Sequence, residues 1–333
     1  MELLTVDRPA SAFQQSVSER EIRAVCGRVF GTEAQLVRAV ELAGGMYNNT
    51  YRVSVTGLER PVILRFAPEP GRQFRSEREL MRNEYASIPW LSAIAPLMPK
   101  VIAADWSHDV LGRDWMVETM LDGVAASGPH GLIAYPRETW GGFFRQIGAV
   151  AKAVHAVAGP HFGPVSGPGH PRWSQAVAAF LADIVADLDA VGLAADDLRK
   201  VAAIAAEQRS VLDEITEPRL LTGDLWTVNV LMVEGAPEPT ISGVVDFDRT
   251  LWGDPAADWT IRMAMAKPGT EREAFWDDAG YGAPERSSGA RWRAHIYEAR
   301  HLGAIRLEHH RLGDTEGVRG TYGDLEDILA EVG

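Results

Sequence analysis

Three oxygen-bearing side chains recur at a spacing that could do chemistry. In the run LLTGDLWTVNVLMV, Asp224 and Asn229 stand five residues apart, and Asp246 follows near the end of TISGVVDF. The two apolar runs VNVLMV and TISGVVDF, joined by a Gly-Ala-Pro-Glu-Pro turn, read as the strands of a hairpin. A first strand beginning at Asn229 and a second ending near Asp246 bring both side chains to one end of the ladder, beside the loop that holds Asp224. An amide and a carboxylate side by side suit Mg²⁺, a hard ion that takes one or two carboxylates and completes its shell with substrate phosphates. Asp224 is then free to orient an attacking hydroxyl. Singly, Asp224 and Asn229 also fit an Asx-turn and Asp246 a strand-end cap; the joint spacing favours the chemistry.

Composition narrows the context. With 333 residues, 46% apolar and 24% charged, the chain is about two ordinary domains long. Its 32 Gly and 19 Pro are spread along the chain, which excludes collagen and wholesale disorder. A net charge of −13 argues against a general nucleic-acid binder, which needs a basic stripe to displace counterions. The acidity is uneven: residues 124–333 carry 30 acids against 19 Lys and Arg, whereas residues 1–123 carry 16 against 14. Cys26 is the only cysteine, and no Cys-x-x-Cys, His-Glu-x-x-His or Gly-x-Ser-x-Gly occurs, so zinc chemistry and a serine-hydrolase elbow lack their residues. The lone cysteine fits a reducing compartment. The start, MELLTVDRPASAF, lacks a basic segment followed by an apolar core, and no run of 18 uncharged apolar residues occurs. A cytoplasmic location is expected, with no membrane partner.

The elements that must position the three side chains follow from periodicity. Val17, Ile22, Val25, Cys26, Val29 and Phe30 recur at helical spacing behind a Ser-x-Ser-Glu start. AQLVRAVELAGG, TYRVSVTG and RPVILRFAP then predict three antiparallel strands, a charged helix covers SERELMRNEYASIPWLSAI, and KVIAADWS and DWMVETM add two more strands. Beyond Gly123 the pattern turns helical over Arg137–Ala158, Trp173–Val191 and Asp196–Ile215, is interrupted by the hairpin described above, and returns to helix from Trp259. The fold class expected is α+β: a small antiparallel-sheet lobe of five strands with one inserted helix over residues 1–117, a tether at 118–123, and a larger, mainly helical lobe over 124–333.

The text around the three residues resembles the aminoglycoside phosphotransferase family, the antibiotic and small-molecule kinases built like protein kinases. That family's His-Gly-Asp-Leu-x-x-x-Asn is similar to Thr222-Gly223-Asp224-Leu225-Trp226-Thr227-Val228-Asn229, and its second block to Asp246 through Gly253-Asp254-Pro255 to Asp258. The departure is Thr222 in place of His, which leaves the shape of this loop open. The resemblance implies a bilobal kinase-like fold, Asp224 as catalytic base or hydroxyl-orienting residue, Asn229 and Asp246 as Mg²⁺ ligands, and ATP as donor, with GTP as an alternative. It implies too that Gly44, Gly45 and Asn48 turn over the ATP phosphates, although Gly-Gly and Asn-Asn are also ordinary hairpin closures. No lysine precedes Lys100, so Arg65 is the candidate phosphate cation, with Glu84 as its partner. Glu118 and Met120 fall in the segment similar to the adenine-reading hinge. His155, similar to a family His at a helix end, is read as a buried, satisfied histidine. Trp226 and Asp248 are the acceptor-side candidates.

The reaction implied is transfer of the γ-phosphoryl group of ATP to a hydroxyl of a small molecule. An antibiotic is the acceptor the resemblance favours, of aminoglycoside, cationic-peptide or nucleoside type, in resistance or producer self-protection; the acidic second half would attract a polycation. Gly-Asp-Leu-Trp-x-x-Asn is also similar to fructosamine kinases, which makes a sugar-type metabolic kinase the rival. A non-catalytic nucleotide-binding pseudokinase is the reading from another class. Acceptor identity, the hydroxyl modified, ATP against GTP and the oligomeric state lie beyond these residues.

Overall fold

Ser18 opens the first helix as an N-cap: its hydroxyl accepts from Glu21 N–H while the Glu21 carboxylate accepts from Ser18 N–H. The helix, α1 (Glu19–Phe30), buries Ile22, Val25 and Cys26, one stripe at helical spacing. A computed structural model describes residues 2–8 and 13–332 of the chain. They form two compact units, one of Met1–Gln73, Pro96–Gly123 and Ser242–Val244, the other of Phe74–Ala95, Val124–Ile241 and Val245–Gly333. The second takes in residues 74–95, which the sequence had placed in the first lobe.

In the first unit β1 (Glu2–Leu4), β2 (Leu36–Glu41), β3 (Asn49–Val55), β4 (Val62–Phe66), β5 (Val101–Asp105) and β6 (Trp115–Thr119) form one sheet in the order β1-β2-β3-β4-β6-β5. Five are the strands expected. The sixth, β1, pairs parallel with β2 and was missed, because three residues at a chain end carry no periodicity. Alternation sets the register: Tyr51, Val53 and Val55 of β3 are buried, with Tyr51 opposite Leu64 and Val53 opposite Val62. The buried stripe of α1 joins these residues in one core with Phe66, Trp115 and Val117.

The second unit is mainly helical. It contains α2 (Leu80–Ser87), which runs into a 3-10 segment, then β7 (Val124–Ala125), α3 (Trp140–His155), β8 (Gly163–Pro164), α4 (Trp173–Ala190), α5 (Asp196–Glu207) and α6 (Arg209–Leu212). The expected helix over 196–215 is broken at Gln208, whose ψ of 27° leaves the helical region. Next in chain order come β9 (Arg219–Leu221), β10 (Val230–Met232), β11 (Ile241–Val244), whose last three residues belong to the first unit, β12 (Leu251–Gly253), α7 (Trp259–Met265), α8 (Ser288–Leu312) and α9 (Thr315–Val332). The anticipated hairpin forms, closed by Val233 N–H to Thr240 O at 2.9 Å and Val245 N–H to Asn229 O at 3.0 Å. A further small sheet, β8-β12-β9, was not expected; two- and three-residue strands fall below any repeat. Ile184, Leu188, Leu198, Val201, Leu302 and Leu325 centre the main core, drawn from α4, α5, α8 and α9. Among the described residues no helix is long and apolar enough to cross a membrane.

Helix α3 presses onto the 275–281 segment at Gly148, where an added Cβ would lie 2.5 Å from Phe275 O and 2.8 Å from Tyr281 N. Both contacts are backbone, so neither can swing aside. Gly148→Ala is expected to destabilise the protein by about 1–3 kcal/mol, the usual cost of overpacking, read as a lower midpoint in chemical denaturation with unchanged slope.

Candidate active site

The loop between β9 and β10 is tied down by one buried carboxylate. Asp258 Oδ2 accepts from Thr222 N–H at 2.6 Å and from the Thr222 hydroxyl at 2.8 Å, and lies 2.7 Å from His155 Nε2. Asp258 Oδ1 accepts from Gly223 N–H at 3.2 Å. Thr222, fully buried, also bonds Thr260 Oγ1, which donates onward to Leu225 O. The residue that departs from the family's His thus works through its hydroxyl and N–H, with His155 on the other side of the same carboxylate. His155 is buried and satisfied as read, its Nδ1 lying 2.7 Å from the Tyr281 hydroxyl. Sequence reasoning gave Asp258 no role beyond ending the second motif, although that motif was the signal. Gly223 must be glycine: its φ is +83°, and a Cβ would meet Arg249 C at 2.3 Å.

Past this anchor, the Asn229 amide Nδ2 donates to Asp224 O at 2.8 Å and to Asp224 Oδ2 at 3.2 Å. The two residues expected to act together are therefore in direct contact. Asp246 adopts a left-handed backbone, φ +67°, a conformation Asp tolerates better than most residues. Burial first, then the Asp246 and Glu308 carboxylates, push the Asp224 carboxyl up to about 7, against the opposing pull of Arg249 and Asn229. Asp224 and Asp246 thus repel, an effect that Arg249 offsets in part. Among the described residues no trio of His, Cys, Asp or Glu is placed to hold a metal. An Asn and an Asp beside a crowded carboxylate fit Mg²⁺, whose shell draws on phosphate and water, and do not fit a structural zinc.

Arg249 links this corner to its scaffold. Its Nη2 donates to Glu77 Oε1 at 2.8 Å, and Arg311 grips the other oxygen of Glu77. Burial alone would raise the Glu77 carboxyl, but Arg249 and Arg311 outweigh it and hold it below the usual carboxylate range. Glu84 accepts from Phe247 N–H at 3.3 Å, next to Asp246, and Asn83 Nδ2 donates to Asp248 O at 2.9 Å and Thr250 O at 2.7 Å. Asp248 itself is 4% exposed and does not line the cleft that holds Trp226. That cleft, about 220 Å³, is lined by Trp226, Thr227, Trp140, Arg137, Lys267 and Arg272 among others. Trp226 stacks on Phe144 with centroids 5.5 Å apart, and the Arg272 guanidinium sits 5.0 Å above its ring.

In the first unit Arg65 is buried in β4 and lies 3.6 Å from Glu118 Oε2, both side chains nearly inaccessible. Glu118, expected at the hinge, therefore faces Arg65 with its carboxylate, while Met120 is half-buried just past β6. Gly44, Gly45 and Asn48 lie in the turn between β2 and β3, where Gln14 Nε2 donates to Gly45 O and Asn48 O. Asn48 Oδ1 is buried without a hydrogen-bond partner among the described residues.

A model of the phosphotransferase enzyme family matches residues 38–292, well over half of the chain, and the chain belongs to that family. No curated protein sequence is significantly similar to it. Among solved structures, the GDP complex of wild-type aminoglycoside 2'-phosphotransferase-IIIa is 16% identical with a TM-score of 0.61, covering 94% of this chain and 99% of that one. The ternary complex of a thermostable APH(4)-Ia mutant with AMP-PNP and hygromycin B is 17% identical at 0.59, covering 93% and 98%. A chain from Haemophilus somnus 129PT, provisionally assigned as a fructosamine-3-kinase, is 18% identical at 0.58, covering 92% and 96%. Likeness at these identities establishes the fold, the kinase-like combination of sheet-rich and helical parts that the motifs implied. By family the chain is a phosphotransferase.

The Asp258 anchor yields a test with a definite sign. Asp258→Asn turns one of two accepting oxygens into an amide facing N–H and O–H donors, at a cost of about 2–4 kcal/mol. Burial raises the Asp258 carboxyl, but His155 and Thr222 outweigh it and hold it below the usual range. Its stabilisation is thus complete above the unfolded pKa of about 4 and fades as pH falls through the lower folded value. Urea unfolding is expected to show a wild-type advantage over Asp258→Asn that is constant at neutral pH and shrinks below about pH 4.

Proposed function

We propose that the chain transfers the γ-phosphoryl group of ATP, or of GTP, to a hydroxyl group of a small molecule. The observation that carries this reading is the direct tie between Asn229 and Asp224 in a loop anchored by Asp258. In the reaction the acceptor oxygen forms a bond to the γ-phosphorus, the bond from that phosphorus to the β–γ bridging oxygen breaks, and ADP leaves. Asp224 aligns the acceptor hydroxyl and takes its proton. Asn229, whose amide N–H group is committed to Asp224, would hold a magnesium ion through its carbonyl oxygen, with Asp246 as the carboxylate ligand. Bound there, Mg²⁺ would neutralise the phosphate oxygens and relieve the repulsion between Asp224 and Asp246.

The remaining site residues take supporting roles in the same reading. Arg65, held by Glu118, offers a permanent cation to the nucleotide phosphates. The turn with Gly44, Gly45 and Asn48 offers backbone N–H groups to them. Glu84, by accepting from Phe247 N–H, steadies the backbone next to Asp246. Met120 packs on the base. The GDP and AMP-PNP in the related structures support a purine nucleotide as donor. An antibiotic acceptor is supported by hygromycin B in one relative, and a sugar-amine by the provisional fructosamine kinase. The single buried cysteine fits work in a reducing compartment such as the cytoplasm.

Asp224→Ala is expected to keep nucleotide binding, followed as a thermal shift with Mg·ATP, and to lower acceptor-dependent ADP release by about 10²–10⁴-fold. Turnover equal to wild type in that variant would rule the mechanism out. An intact ATP-induced shift in the wild type with no ADP from any acceptor would favour the pseudokinase.

A further inference from the structure

The cleft beside Trp226 carries the opposite charge from its surroundings. Residues 124–333 hold 30 acids against 19 basic residues, yet the cleft is lined by Arg137, Lys267 and Arg272 against one carboxylate, Glu271. That carboxylate is already taken, since both of its oxygens receive the Arg137 guanidinium. Lys267 is exposed and makes no ion pair among the described residues. Arg272 is half-buried, and its Nη1 donates to Met263 O at 2.7 Å while the guanidinium lies over the Trp226 ring. No carboxylate stands within ion-pair distance of Arg272 among the described residues. Burial disfavours its charge, opposed only in part by Glu271. The guanidinium keeps its proton and, among the described residues, is met only by the Met263 carbonyl and the Trp226 ring, so an anion entering the cleft would find a cation with no carboxylate paired to it.

The place of the cleft gives this meaning. Trp226 and Thr227 line it and belong to the loop that also carries Asp224 and Asn229. Asp224 does not itself line the cleft, but it stands two residues before Trp226 in the same loop. Trp140, Phe144 and Trp226 give the cleft apolar rings, suited to a flat, apolar body.

We propose that this cleft is the acceptor subsite and that it selects a hydroxylated molecule bearing an anionic group on an aromatic or similarly flat apolar body, with Arg272 and Lys267 holding the anion. The proposal rests on the phosphotransfer reading for calling the ligand an acceptor, but its binding preference does not. It turns away polycations such as aminoglycosides, which the overall acidity of the second half would have favoured.

A matched series of probes tests it by calorimetry on the full chain with Mg·AMP-PNP: 3-phenyllactate (anionic), 3-phenylpropane-1,2-diol (neutral) and phenylalaninol (cationic), with kanamycin as the polycation. The acid is expected to bind at least about tenfold more tightly than phenylalaninol or kanamycin. Arg272→Gln is expected to weaken the acid about tenfold and to change the diol less than about twofold, while Arg272→Lys keeps most of the preference. A fold defect would weaken the acid and the diol together, so the ratio separates charge from damage. Equal affinities across the series, no measurable binding of any probe, tighter binding of either cation, or an acid affinity untouched by Arg272→Gln each overturn the proposal. Preferential binding of the acid with no ADP released from ATP by any hydroxyl compound would instead overturn phosphotransfer and leave the anion subsite standing.

Discussion

A single dry carboxylate organises the chemistry of this protein. Asp258 gathers the backbone and hydroxyl of Thr222, the backbone of Gly223 and the imidazole of His155. It also caps α7, accepting from Thr260 N–H. An ionised carboxylate is tolerable in such a place only when its lone pairs are met, and here each donor is one that the loop before Asp224 or its supporting helices must otherwise satisfy. The same residue fixes where Asp224 begins and where α7 departs. Helix α7 leads on to the segment that carries Lys267 and Arg272, so one wall of the cleft and the loop that carries Asp224 share an anchor.

Charge is partitioned around that anchor in layers. Asp246 and Glu308 add to burial in raising the Asp224 carboxyl, and Arg249 offsets them only in part. Glu77 accepts from both Arg249 and Arg311 and so shares the charge that Arg249 turns toward Asp224. Further along the chain, Lys267 and Arg272 line a cleft whose one carboxylate, Glu271, is paired with Arg137. On the proposed reaction, these two regions of opposite charge would give a metal-bound triphosphate and an anionic acceptor separate seats on one loop.

Much of this was legible beforehand. The expected strands of the first unit follow from alternation, and the hairpin with Asp224, Asn229 and Asp246 from spacing, because both are local patterns. What escaped depends on residues distant in sequence. Strand β1 finds its partner more than thirty positions away, and the β8-β12-β9 sheet assembles from fragments too short to have a period. The Arg65 and Glu118 ion pair needs the register of β4 against β6, in which Ile63 faces Glu118. The cleft shows most plainly where summed charge misleads: a balance over two hundred residues says nothing about which few side chains turn inward at one place.

Cys26 has a practical consequence for anyone wishing to watch the active loop. It is the one cysteine of the chain, lies on the buried face of α1, and burial pushes its thiol up to about 11. Since the thiolate is the reactive form, the native protein should be nearly silent to maleimides at neutral pH. A cysteine introduced at Val228, 60% exposed and next to Asn229, would then carry a fluorophore alone, with no need to strip the natural sulfur from the core.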